Sequence, residues 1–140
     1  MIRIVIFLIF LSSYQVRAQE IKQDDLVGDW LCKHVEIKSE IELTPDERAF
    51  TGEMSKGFVD SHFILGVDGI FKFQFADTAP PFVKELKFLN NQRWYFDSSL
   101  SKITIGPPSE NLMHIEVSRD GDKLLFHIYE TPFLLYMVKL

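Results

Sequence analysis

Leu112 to Leu140 reads LMHIEVSRDGDKLLFHIYETPFLLYMVKL, three apolar-rich runs cut by two turn signals. Met113, Ile115 and Val117 alternate with His114, Glu116 and Ser118, the period-2 pattern of a half-buried strand. Asp120-Gly121 marks a turn, because glycine adopts positive φ at little cost. Beyond it, Leu124, Phe126 and Ile128 alternate with Leu125, His127 and Tyr129. A turn centred on Asp120-Gly121 pairs Val117 with Leu124, Ile115 with Phe126 and Met113 with Ile128. All six then share one face, and a slip of one residue would divide them between two faces. Thr131-Pro132 marks the next turn, since proline interrupts a ladder. That register pairs Ile128 with Leu135 and Phe126 with Met137.

The outer face of this meander holds Leu125, Tyr129, Leu134, Tyr136 and Val138. It is too apolar to leave bare, so a helix, another segment or a partner chain is expected to cover it. A homodimer through these five residues is one such arrangement.

Upstream, Trp94 and Phe96 alternate with Arg93, Tyr95 and Asp97, while Ile103 and Ile105 alternate with Lys102 and Thr104. Pairing Phe96 with Ile103 also sets Asp97 opposite Lys102, so the apolar and charge patterns agree. Further back, Phe71, Phe73 and Phe75 alternate with Lys72 and Gln74 after Asp68-Gly69. A two-residue turn there would set His62 and Ile64 beside the phenylalanines. A three-residue loop with Gly69 as a bulge would set Phe63 and Leu65 there, and is preferred because it keeps His62 out of an aromatic core.

Thr44-Pro45-Asp46-Glu47 opens a helix: a threonine cap, proline at the first helical position and glutamate three after the cap. Phe50, Met54 and Phe58 follow at helical spacing, with Gly57 as the stop. The helix is therefore expected over about residues 45–56. Leu26 to Lys38 is a first strand with Trp30 and Cys32 on one face. Residues 77–91 stay open: Phe82, Leu86 and Leu89 have helical spacing, yet Leu86 and Phe88 suit a strand.

The count is about eight antiparallel strands in chain order with one helix after the first. An all-β up-and-down meander closed into a barrel is the economical arrangement, because closure removes exposed edges. A flattened sandwich is the runner-up.

At the N-terminus, Met1-Ile2-Arg3 is a short basic region and Ile4 to Leu11 an unbroken apolar run. Val16-Arg17-Ala18 supplies small residues at the sites a signal peptidase reads, so residues 1–18 are expected to be a signal peptide and 19–140 the barrel domain. The apolar run is short of the ~20 residues a spanning helix needs. Cleavage would remove two of the 15 basic residues against 20 acids, moving the net charge from −5 to −7. Such an acidic domain is a poor partner for nucleic acid or anionic membranes. Cys32 is the sole cysteine, so no intrachain disulfide forms, and export without disulfides points to a bacterial periplasm or the extracellular space. With 46% hydrophobic residues and 13 Phe, the chain is too apolar for disorder.

Chemistry-bearing motifs are sparse. No nucleophile elbow, His-Glu-x-x-His or phosphate loop is present, so no catalytic residue is assigned. The hairpin register sets His114 opposite His127 with Glu116 one step along. A third well-placed ligand is missing, so neither a metal nor another cofactor is expected.

Leu26-Val27-Gly28-Asp29-Trp30 forms an L-x-G-x-W opening on the first strand of an eight-stranded meander. In this the chain resembles the lipocalin superfamily, and more closely the short exported bacterial lipocalin-like domains. The resemblance implies a barrel whose interior binds small hydrophobic molecules, with Trp30 at its closed end. The chain departs from the family pattern in three features: the Thr-Asp-Tyr motif, the C-terminal helix, and the arginine that follows the last strand and stacks on the tryptophan. The residues expected to line a ligand site are Trp30, Phe71, Phe73, Phe75, Trp94, Phe96, Met113, Ile115, Phe126, Ile128 and Met137. The same side chains serve equally to fill a barrel this small.

Overall fold

The computed structural model of the chain describes residues 20–38 and 42–140. The expected signal peptide, residues 1–18, lies outside them. The elements in order are α1 (Gln23–Leu26), β1 (Gly28–Ile37), α2 (Pro45–Phe58), β2 (His62–Leu65), β3 (Phe71–Gln74), α3 (Pro81–Lys84) and a 3₁₀ turn (Glu85–Leu89). Then come β4 (Trp94–Asp97), β5 (Lys102–Ile105), β6 (Met113–Asp120), β7 (Lys123–Ile128) and β8 (Phe133–Lys139). The strands form one eight-stranded antiparallel sheet in the order β3-β2-β1-β8-β7-β6-β5-β4. It is the up-and-down lipocalin-like barrel expected from the strand count. Among the described residues no helix is long and apolar enough to cross a membrane.

Local signals explain most of the pairing. Phe96 lies opposite Ile103 and Asp97 opposite Lys102, as the matched charge and apolar patterns require. Phe63 lies opposite Phe73 and Leu65 opposite Phe71. The Gly66 N–H donates to the Ile70 carbonyl at 2.9 Å, enclosing the three-residue loop Val67-Asp68-Gly69. His62 is thereby kept on the outside.

The final meander keeps its faces but changes its partners. Val117 meets Phe126 and Ile115 meets Ile128, with Asp120 opposite Lys123. The turn is therefore Gly121-Asp122, one residue later than expected. Gly121 takes φ 65° at the first central position, where a type II′ turn needs glycine. In the next hairpin Phe126 meets Leu135 and Leu124 meets Met137. Here the turn sits one residue earlier, because Thr131 closes it by donating its hydroxyl to the Ile128 carbonyl at 2.7 Å. Each correction moves a partner by two residues, an even number, so every inward side chain stays inward.

The histidine pair does not survive this change. His127 lies opposite Glu116 rather than His114.

Helix α2 carries both halves of its capping box, and Thr44 Oγ1 accepts from the Glu47 N–H at 3.2 Å. Gly57 does not stop it. The helix runs through Gly57 to Phe58, and the glycine serves close packing: a Cβ there would lie 2.3 Å from Val83 Cγ2. Phe50, Met54 and Phe58 do not form one buried stripe either. Exposure falls from 56% at Phe50 to 2% at Phe58, so the helix enters the barrel by its C-terminal end.

Residues 77–91 resolve toward helix. Pro81 opens α3, the 3₁₀ turn follows, and Val83 and Leu89 are buried. The 3₁₀ turn packs against β3 beside the weak seam of the barrel, where the residues just before β3 and β4 share a single bridge, Ile70 to Arg93. Short bonds supplement it: Phe71 N–H to the Gln92 carbonyl at 2.8 Å and Trp94 N–H to the Gly69 carbonyl at 3.0 Å. Away from the seam, β1 pairs with β8 along nearly its whole length, with a bulge between Cys32 and His34.

Candidate functional site

Alternation on eight strands collects the inward side chains into one cluster. Trp30, Phe71, Phe73, Trp94, Ile115, Phe126, Ile128 and Met137 are buried within it. Phe75, Phe96 and Met113 are half-buried and pack against it. All eleven expected ligand-site residues therefore belong to the same interior.

That interior is connected by aromatic contacts. Ring centroids lie 6.0 Å apart for Trp30 and Phe126, 6.0 Å for Phe126 and Phe63, and 4.8 Å for Phe63 and Phe73. Phe73 meets Phe75 edge-on at 4.5 Å. Tilted and edge-on geometries of this kind suit the aromatic quadrupole. Phe71, Ile115, Phe126 and Met137 have no accessible surface at all. A side chain bordering a water-sized void would retain some, so the middle of the barrel is packed with side chains where these residues lie.

Phe63 and Phe58 are among the buried contributors outside the expected set. Phe63 alternates correctly, and its place depended only on the hairpin loop length. Phe58 comes from the end of α2 and contacts Phe63, Phe73 and Phe133 at 5.5 to 6.4 Å between centroids. Its helical spacing marked it as apolar-facing, but nothing local says that a helix end enters a barrel.

The Trp30 end is closed by the chain before β1. Leu26 is fully buried, and the Trp30 indole N–H donates to its carbonyl at 2.7 Å. Arg119 on β6 holds Asp25 at 3.1 Å, anchoring α1 across the end. Lys139 Nζ lies 5.8 Å from the Trp30 ring centroid, within cation–π range.

The outer face of the meander is a separate surface. Leu125 lies opposite Tyr136 and His127 opposite Leu134, with Val138 opposite Leu31 of β1. These apolar side chains are half-buried, whereas Tyr129 at the turn is 51% exposed. The Tyr136 hydroxyl donates to Glu36 Oε2 at 2.5 Å, and this bond to a carboxylate raises its pKa.

Polar chemistry is scattered. His62 Nδ1 sits 2.8 Å from Asp29 Oδ1 on the outside of β1 and β2. Ser61 next to it is fully buried, with its hydroxyl committed to the Phe58 carbonyl at 2.5 Å. Cys32 is buried, and desolvation pushes its thiol from 9.0 to about 12, so it stays protonated. The Ser99 hydroxyl, joined by the Leu100 and Ser99 N–H groups, lowers the pKa of Asp97. Among the described residues no three His, Cys, Asp or Glu side chains converge to hold a metal ion.

No protein-family description matches the chain, and no curated protein or solved structure does.

Proposed function

We propose that the protein is an exported, lipocalin-like binder of a small hydrophobic molecule, taken up at the α2 end of the barrel. The observation that supports this is the continuity of the apolar interior. It runs from Trp30 through Phe126, Phe63 and Phe73 to Phe75, which is only half-buried. Met54, one helical turn before Phe58, is also half-buried against the same cluster. An apolar guest enters there by displacing Phe58 and Phe75, and its burial replaces theirs.

Native mass spectrometry of the purified protein and titration with a long-chain fatty acid test the reading. The expected result is a bound adduct or saturable uptake, increased in Phe58→Ala because the lost ring leaves room. Absence of adduct and of uptake in both proteins overturns it.

A second reading rests on the contiguity of Leu125, Leu134, Tyr136 and Val138 outside the barrel. Here the sheet face binds a second chain. A stable dimer in the same spectra, dissociated by Tyr136→Glu, would favour it.

A further inference from the structure

Two open clefts adjoin on the outer wall over β5, β6 and the β7–β8 turn, away from the barrel interior. One, of about 280 Å³, is lined by Lys102, Asn111, His114, Tyr129 and Glu130 among others. The other, of about 240 Å³, shares Lys102 and Tyr129 and adds Leu100 and Glu116. Each is close to the lower end, ~300 Å³, of small-ligand sites. The Tyr129 ring is their common wall.

The cleft is built from braced parts. The Tyr129 N–H donates to the His114 carbonyl at 2.9 Å, extending the β6–β7 ladder and fixing the tyrosine backbone. His114 Nδ1 is 3.0 Å from Thr104 Oγ1, and Nε2 engages Asn111 Oδ1. With both nitrogens occupied the imidazole is a brace, and the Asn111 amide nitrogen points away from it. Asn111 and Glu130 both hold left-handed backbone, at φ 53° and 63°. Glutamate rarely adopts that region, and residues held there concentrate at ligand sites.

The lining selects a ligand class by elimination. Each cleft sets one carboxylate, Glu130 in the first and Glu116 in the second, against the shared Lys102 ammonium, a balance that favours neither an anion nor a cation. The polar walls disfavour an apolar guest. A neutral polyol ring suits what remains. Its hydroxyls both donate and accept, matching carboxylate, ammonium and amide together. Its C–H face carries the partial positive charge that an aromatic face attracts.

We propose that this paired cleft binds a neutral saccharide, with the Tyr129 ring as the platform between two sugar positions. The test is a ¹H–¹⁵N NMR titration of the whole protein with glucose, galactose, N-acetylglucosamine and maltose, and with glycine and inorganic phosphate as competitors in kind. The expected result is saturable shifts at the Asn111, Tyr129 and Glu130 amides with at least one saccharide. Tyr129→Ala should weaken that binding about tenfold or more, and Tyr129→Trp should restore it. Glu116→Gln, at an exposed carboxylate, provides a second variant and should weaken binding several-fold without disturbing the strands. No saturable shift with any of these saccharides overturns the proposal. So does glycine or phosphate binding as tightly, or wild-type affinity in both Tyr129→Ala and Glu116→Gln.

Discussion

The barrel has two unequal sides. On one, β1, β6, β7 and β8 run 10, 8, 6 and 7 residues, and β1–β8 is paired almost end to end. On the other, β2, β3, β4 and β5 have four residues each, and β3 and β4 are joined by one bridge between the residues just before them. A ladder distributes its hydrogen bonds along a strand, so the long side depends on no single residue. The short side depends on side chains that reach across: Asn90 Oδ1 accepts from the Phe73 N–H at 2.7 Å, and the Trp94 indole donates to the Gly66 carbonyl at 2.9 Å. The lesson is that closure of a small barrel need not be uniform. The side held by packing is the side able to open.

Removing packing from the long side should cost most. Phe126 on β7 has no accessible surface, and Phe126→Ala is expected to lower stability by about 3–5 kcal/mol in urea unfolding. A loss well under ~2 kcal/mol would mean that the interior is looser than its contacts imply. Next comes the short side. Gly57→Ala drives a Cβ into Val83 and should push α3 off α2, at about 1–3 kcal/mol. Added helix propensity offsets at most ~1 kcal/mol of that, so a stabilised variant would refute the close packing. Thr44→Ala removes the cap of α2 and should cost about 1 kcal/mol by the same measurement.

Amide exchange sharpens the contrast without substitution. The Phe71 and Trp94 amides at the seam should exchange sooner than those between β7 and β8. Uniform protection around the barrel would erase the distinction.

The smallest effect near neutral pH belongs to Cys32. Its folded pKa is raised from 9.0 to about 12, so its contribution is complete below pH 9 and is lost as pH rises from 9 toward 12. Native protein at pH 8 should resist iodoacetamide, and urea-unfolded protein should react. Rapid native labelling would place Cys32 outside the core.

Faces were legible in the sequence and partners were not. Alternation assigned Ile115, Phe126, Ile128 and Met137 inward, because that depends only on residue parity. Which residue meets which depends on turn chemistry. Gly121 leads its turn, and Thr131 closes another with its hydroxyl; each moved a register by two. The His114–His127 pairing fell with the first of these shifts. The α2 cap was legible because Thr44, Pro45 and Glu47 act locally. Gly57 misled for the opposite reason: its role is set by Val83, which lies 26 positions away in the chain. For the site, the eleven inward residues were identifiable. Phe58 was not, since its entry depends on how a helix end meets the barrel. The Tyr129 cleft also escaped, being assembled from β5, the Asn111 loop and a turn.

The β1–β8 ladder has a consequence for how the molecule is made. The first strand is held on one side by β2, the next strand in sequence, and on the other by the last strand. The Leu140 N–H reaches the Asp29 carbonyl at 2.9 Å, a bond between residues 111 positions apart. A chain emerging from its N-terminus therefore carries β1 half-paired until β8 arrives. Until then the edge near Trp30 and Cys32 is unpaired, the kind of open strand edge through which chains aggregate.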